Sequence, residues 1–314
     1  MSNGFKLTGT SMAASALALA GLLGTANFAN AEAAPGGENI DAHLGFTITT
    51  DYYFRSVAME NEGAIFQPEF EVGWTVWEGD VLGEEVALRP YLGAWMSLHD
   101  GGATSVAGGS SAIFQTNYIL GGEIGLPYNF DLDLSYTFLT FPASTAAGTD
   151  IQEFGATLGY DAQDVLEMVG MDIDGLGLNL YKSVVAETVN SLSGPDRGVY
   201  GEFGIHASYD LDMLGEDMPV TASIGSTLGW SYKDYYQAPV NNRDWGFVSL
   251  DLGAEMPLTA IIPDEFGAWS VEAGLSFVWI GNAPSALSGP AFTNITSGSE
   301  RFKALWHTTI GVDF

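Results

Sequence analysis

Cysteine is absent from the 314 residues, which removes disulfides, zinc–thiolate sites and thiol nucleophiles together. Positive charge is scarce. Nine Lys and Arg stand against 39 Asp and Glu, a formal net charge of −30. That balance excludes nucleic acid as a partner, because phosphate contacts need Lys and Arg. Such self-repulsion is tolerable where salt screens it. After the first 31 residues no apolar run reaches the roughly 18 that a spanning helix needs, although 46% of the residues are hydrophobic. The chain also lacks G-x-S-x-G, H-E-x-x-H, a P-loop, and G-x-G-x-x-G in a strand–helix context. No cofactor and no enzymatic activity are implied.

What is present is period-two alternation. In the last stretch, Arg301–Phe314, one row reads Phe302, Ala304, Trp306, Thr308, Ile310, Val312, Phe314. The other reads Lys303, Leu305, His307, Thr309, Gly311, Asp313. This is a strand with one apolar and one wetter face, long enough to cross a bilayer, which takes about 9–11 residues. An ordinary soluble edge strand of this kind is an aggregation hazard. The segment resembles the C-terminal signature strand of Gram-negative outer-membrane barrels, with Trp306, Ile310, Val312 and Phe314 as its membrane-assembly signal. That resemblance implies the barrel-assembly machinery as a partner.

Taken in order, Met1–Ala31 reads as a secretory signal peptide. Lys6 is its positive region, Met12–Leu23 its apolar region, and Ala29-Asn30-Ala31 a small-x-small cleavage site. Residues 32–42 read as a Pro/Gly/Glu linker and 43–314 as one domain. With Lys6 removed, eight basic residues face 39 acidic ones. The first strand runs through Leu44, Phe46, Ile48, Thr50, Tyr52 and Phe54 on one row, with His43, Thr47, Asp51, Tyr53 and Arg55 on the other. About twelve such segments follow one another: near 44–54, 66–76, 86–98, 112–124, 128–140, 151–160, 175–186, 199–209, 220–233, 245–256, 268–280 and 301–314. The 40 glycines suit many turns and strand bends. The expected fold is all-β, a transmembrane antiparallel up-and-down barrel of about twelve strands, since lipid tolerates no open sheet edge. A lipocalin-like or jelly-roll domain would bury the large apolar rows instead. Aromatics gather near strand ends, among them Tyr52, Phe54, Trp74, Trp95, Tyr128, Trp230, Tyr232, Trp245, Trp269 and Trp279, as two interfacial girdles would require.

The opening run Thr49-Thr50-Asp51-Tyr52-Tyr53-Phe54-Arg55, with Gln67 downstream, resembles the first hairpin of the TorF-type family of outer-membrane proteins. Ser56 stands where that family has Gly. The resemblance covers about 25 residues. It implies a small barrel in the outer membrane whose transport role is unproven. Parity turns Asp51, Tyr53, Arg55 and Gln67 inward. They form either a buried ion-pair and hydrogen-bond cluster that fixes the hairpin or a ligand contact; buried charge must be paired in both cases.

Both termini of such barrels lie in the periplasm. The periplasmic turns then hold about fifteen acids and no base, including Glu78, Asp80, Asp161, Asp164, Asp210 and Asp264. The outer ends hold Arg55, Lys182, Arg197, Lys233, Arg243 and Arg301, a rim suited to lipopolysaccharide phosphates. Asp80-Val81-Leu82-Gly83-Glu84-Glu85 and Asp212-Met213-Leu214-Gly215-Glu216-Asp217 are near-repeats, by duplication or shared turn chemistry. Neither completes a calcium loop, and no metal is assigned. All four His fall on inward rows. Ser97 and His99 sit about 7 Å apart by strand geometry, too loose for a nucleophile–base pair; a lipid-cleaving barrel enzyme, with Ser and His on the lipid-facing wall, is the weakest of three readings.

The expected pore lining is Asp51, Arg55, Gln67, Glu69, Glu71, Arg89, Glu123, Asp131, Asp133, Glu202, Asp251, Glu272 and Lys303. Glu153, Glu255 and Asp313 lie on the same rows. Acidic rings favour cations. The function expected from the sequence is a porin-like channel or small-solute transporter of the outer membrane. Its partners would be lipid, lipopolysaccharide and small hydrophilic solutes or cations. The alternative is a structural or surface-interaction barrel with a plugged lumen.

Overall fold

The computed structural model describes residues 40–55, 57–60, 63–81, 83–99, 113–142, 150–168, 170, 173, 175–191, 196–211, 219–236, 245–281 and 301–314. The strands are β1 (Ile40–Thr49), β2 (Tyr52–Phe54), β3 (Val57–Glu60), β4 (Ile65–Trp74), β5 (Trp77–Val81), β6 (Glu84–His99), β7 (Ile113–Leu126), β8 (Phe130–Thr140), β9 (Ile151–Asp161), β10 (Leu176–Val189), β11 (Val199–Leu211), β12 (Val220–Lys233), β13 (Trp245–Pro257), β14 (Ala268–Ile280) and β15 (Phe302–Asp313). A short helix, α1 (Gln163–Met168), and one 3₁₀ turn (Asp264–Phe266) lie between strands.

Every barrel strand pairs antiparallel with its neighbour, and β1 closes the ring between β15 and β4. The barrel strands are β1, β4 and β6 to β15, which makes twelve. β5 prolongs β4: β4 pairs with the far half of β6 and β5 with its first residues, Glu84–Leu88. The Val76 N–H to Leu88 carbonyl bond of 2.9 Å bridges the break. At the seam, Ala42 and Phe314 exchange backbone bonds of 3.1 and 2.9 Å. Both ends of the described chain therefore lie at one rim, called here the terminal rim; the opposite one is the distal rim. The signal-peptide segment lies outside the described residues. β1 takes in Ile40–Ala42, residues assigned above to the linker.

The alternation sorts the side chains. Outward rows are apolar and exposed, as at Leu44, Phe70, Leu92, Leu120, Ile224 and Leu275. Inward rows are polar and buried, as at Gln67, Glu71, Gln115, Asp133, Thr157, Ser249 and Asp251. Short turns at the terminal rim need left-handed residues. Tyr128 (φ 65) and Asn129 (φ 61) supply them between β7 and β8, so β8 starts at Phe130 and not at Tyr128. Gly83 (φ 89) turns the chain into β6, and Asp80 Oδ1 accepts its N–H at 3.0 Å. The first near-repeat thus forms a tight turn of ordinary chemistry. The second, 212–217, lies outside the described residues, as do the loops at 100–112 and 282–300.

Two expectations need correction here. The first strand stops at Thr49, where Thr49 Oγ1 donates to the carbonyls of Asp51 (3.2 Å) and Trp306 (3.0 Å). Tyr52–Phe54 then doubles back on Val57–Glu60 as a separate hairpin. Tyr52 and Phe54 are accordingly inside, each 1% exposed, and not in an outer girdle. Trp95 is also inside, as its row on β6 requires. Val312 keeps its outward row but is covered near the turn at Gly267, where even a Cβ at 267 would press on it.

Candidate functional site

The β2–β3 hairpin folds into the distal mouth of the barrel. Its side chains Tyr52, Tyr53, Phe54 and Met59 belong to one buried cluster. The wall contributes Ile65, Trp95, Phe114, Leu139, Ile151, Tyr200, Phe247, Val278, Ile280 and Leu305, from nine strands around the ring. Tyr235 and Tyr236, just past β12, complete it. A soluble protein puts such a cluster between its sheets; here it stoppers a tube. Tyr52 lies against Trp95 (5.5 Å between ring centres) and Phe114 (6.2 Å), and its hydroxyl donates to Gln115 Oε1 at 2.9 Å.

Arg55 fastens this plug and is completely buried. Its two terminal nitrogens donate to the two oxygens of Glu153 on β9 at 2.6 and 2.8 Å, a bidentate pair. Nη1 also donates to the Tyr235 hydroxyl at 2.6 Å. The guanidinium lies over the rings of Phe54, Tyr200 and Tyr235 at 4.6, 5.0 and 5.2 Å, within cation–π range. Tyr236 donates to the Arg55 carbonyl at 3.0 Å. Removing one partner of a buried pair leaves the other charge uncompensated, at a cost of about 3–5 kcal/mol.

Below the plug the interior is acidic. Arg89 gathers three carboxylates: Asp41 (3.0 and 3.1 Å from Nε), Glu71 (2.9 Å) and Glu123 (3.1 Å). Asp133 accepts from Tyr91 at 2.7 Å and Asp251 from Ser249 at 2.7 Å. His43 sits 2.7 Å from Asp313 and 3.6 Å from Glu69; His307 lies 3.8 Å from Glu272. Of the expected lining, Arg55, Gln67, Glu71, Arg89, Glu123, Asp133, Glu202, Asp251 and Glu272 are buried on the inner side. Glu69, Asp131 and Lys303 are half-buried on inward rows, and Asp51 is half-buried at the neck between β1 and β2. The structure joins Arg55 not with Asp51 or Gln67 but with Glu153, 98 residues away.

Two further placements differ from expectation. Lys182 is not at the outer rim. It stands mid-way along β10 on the outer wall, exposed, in register with exposed Leu158 and Phe203. Ser97 Oγ and His99 Nε2 meet at 2.9 Å, because the two side chains lean together along β6. The pair faces the interior, with His99 stacked on Phe114 at 4.6 Å; it is not on the outer wall. Tyr200, Tyr235 and Tyr236 were not singled out by the sequence. A Tyr pair close after a strand, and an Arg that directly follows three aromatic residues, were the signals available.

No protein-family model and no curated protein matches the chain. Among solved structures, an outer-membrane channel from Pseudomonas putida F1 is similar at 12% identity and a TM-score of 0.47, covering 91% of this chain and 98% of that one. LpxR from Salmonella typhimurium is similar at 11% identity and a TM-score of 0.44, covering 86% and 99%. Outer membrane phospholipase A from Escherichia coli is similar at 12% identity and a TM-score of 0.38, covering 87% and 92%. The resemblance to the TorF-type family therefore stays with the opening residues that carry it.

Proposed function

We propose that the protein is an outer-membrane barrel that conducts small cationic solutes and is closed at rest by its own first loop. The barrel strands are 10–16 residues long, enough to cross a bilayer at a tilt. Their outward rows are apolar and their inward rows polar, the arrangement a lipid-embedded barrel needs. With the terminal rim in the periplasm, the plugged mouth faces outside. Arg197, Lys233 and Arg301 are exposed near that mouth, and lipopolysaccharide phosphates are their natural counter-ions. The observation that carries the reading is the stopper itself: an acid-rich interior beneath a hairpin, held at Arg55, that packs with wall side chains across the distal mouth.

Planar-bilayer recording tests it. The wild type is expected to be silent apart from brief openings. A variant with residues 51–63 replaced by a short Gly/Ser link should conduct steadily. If the plug-free barrel inserts but passes no current, the channel reading fails. A structural, permanently filled barrel then takes its place, a reading the plug also favours.

A further inference from the structure

We infer that the wall around Arg55 is a binding site for a terminal guanidinium or amidinium group, occupied in this state by the protein's own arginine. As a transported-solute class this rests on the channel reading above; as a binding site it does not.

The acceptor groups come from the wall and not from the plug. Glu153 is on β9, Tyr200 and Glu202 on β11, and Tyr235 and Tyr236 follow β12. These groups hold one another. The Tyr200 ring lies 5.0 Å from Tyr235 and 6.2 Å from Tyr236, and those two are 5.1 Å apart. Tyr200 donates to Glu202, and Ser231 Oγ accepts the Tyr235 N–H at 3.0 Å. A flat cation between a carboxylate fork and aromatic faces is what such a cage selects.

Arg55 does not fit it fully. The two terminal nitrogens are satisfied, but the buried Nε has no acceptor among the described residues. The cage therefore reads the end of the group and not the whole fork. Arg55 also sits at φ 48, a left-handed conformation that disfavours a side-chain-bearing residue. A tethered occupant bears that strain; a free solute does not. A second carboxyl, Glu202, is buried beside the cage and accepts the Tyr200 hydroxyl, so the Tyr200 ring stays in place when Arg55 leaves. A soluble guanidinium compound would thus compete with Arg55 and release the plug.

The probe is agmatine, with putrescine as the control that keeps the four-carbon chain but replaces the planar fork with an ammonium. Calorimetry uses the full chain folded in detergent. Arg55→Ala is expected to bind agmatine at least tenfold more tightly than wild type and than it binds putrescine. Agmatine should also restore the heat stability that this variant loses. Arg55→Ala/Glu153→Gln should lose the binding. Equal agmatine affinity in wild type, single and double variants would overturn the site and leave a purely structural clasp. Should Arg55→Ala not fold, the cysteine-free background allows a second route. Met59→Cys, buried in the plug, should react with a bulky maleimide faster as agmatine rises and not as putrescine rises; no acceleration overturns the proposal. If agmatine binds yet never raises conductance, the site stands and the release of the plug by a solute falls; the channel reading falls only if the plug-free barrel is silent as well.

Discussion

Tyr91 lies flat on Gly121, the residue directly opposite it on β7, so that a Cβ at 121 would collide with the phenol ring. The same arrangement recurs across the inner wall. Glu69 covers Gly45, Asp131 covers Gly159, Tyr181 covers Gly204 and Phe247 covers Gly229, each a directly opposed pair. The missing side chain lets a large inward group lie along the wall and reach a partner, as Tyr91 reaches Asp133 at 2.7 Å.

Gly121→Ala should therefore destabilise the barrel by about 1–3 kcal/mol, the usual cost of overpacking. Urea unfolding in vesicles, followed by Trp fluorescence, measures it. In a Tyr91→Ser background the same Gly121→Ala change should cost little, because the ring it would strike is gone. If Gly121→Ala alone is neutral, the ring has another place to go and the steric account fails.

Lys182 makes a prediction of the opposite sign. With the outer wall in lipid, as proposed above, a lysine on it costs about 2–4 kcal/mol at mid-bilayer and less towards the rims. Lys182→Leu should make the barrel more stable in vesicles by roughly 2 kcal/mol on that scale. No gain would place position 182 at headgroup level or against another protein.

The third prediction concerns the seam. Phe314 closes the ring through two backbone bonds to Ala42, and Trp306, Ile310 and Phe314 are exposed on the outer wall. Deleting Phe314 removes both bonds and the last apolar side chain together. The expected result is less folded barrel in outer-membrane fractions, read by heat-dependent gel migration. Normal insertion of the shortened chain would show that the terminal pattern carries no assembly signal.

The strands were legible because the barrel wall exposes an apolar row on its outer side and buries a polar row on its inner side, so alternation survives in most segments. The plug was not. Phe46 to Phe54 alternates without Gly or Pro, and nothing local marks the stop at Thr49; one of the bonds that end β1 reaches Trp306, 257 residues away. Parity alone gave the right inward side for Arg55 for the wrong reason, since a hairpin and not a strand puts it there. Lys182 was legible and misplaced: Leu176, Leu178, Leu180, Lys182, Val184 and Ala186 share one row. The Ser97–His99 contact fell below the resolution of a Cα-spacing argument, because side chains two apart can lean together.

The last prediction is the selectivity of the open barrel. Inward rows carry Glu69, Glu71, Glu123, Asp131, Asp133, Glu153, Glu202, Asp251, Glu255, Glu272 and Asp313, joined by Asp41 and Glu187, against Arg89 and Lys303 on the wall and Arg55 on the hairpin. Arg89 is already engaged by Asp41, Glu71 and Glu123. When the hairpin is removed, Arg55 goes with it and Glu153 joins the free carboxylates, so the wall becomes more negative than in the plugged barrel. Low-dielectric walls focus that field along the axis, and acidic rings favour cations. The plug-free variant should therefore show a cation-selective reversal potential in a salt gradient. Screening shortens from about 10 Å at 0.1 M to about 3 Å at 1 M, so the preference should shrink as salt rises. Restoring one positive charge with Glu153→Lys in the plug-free barrel should reduce it at low salt. An anion-selective or unselective pore at 0.1 M would mean that the inward acids do not face the permeation path.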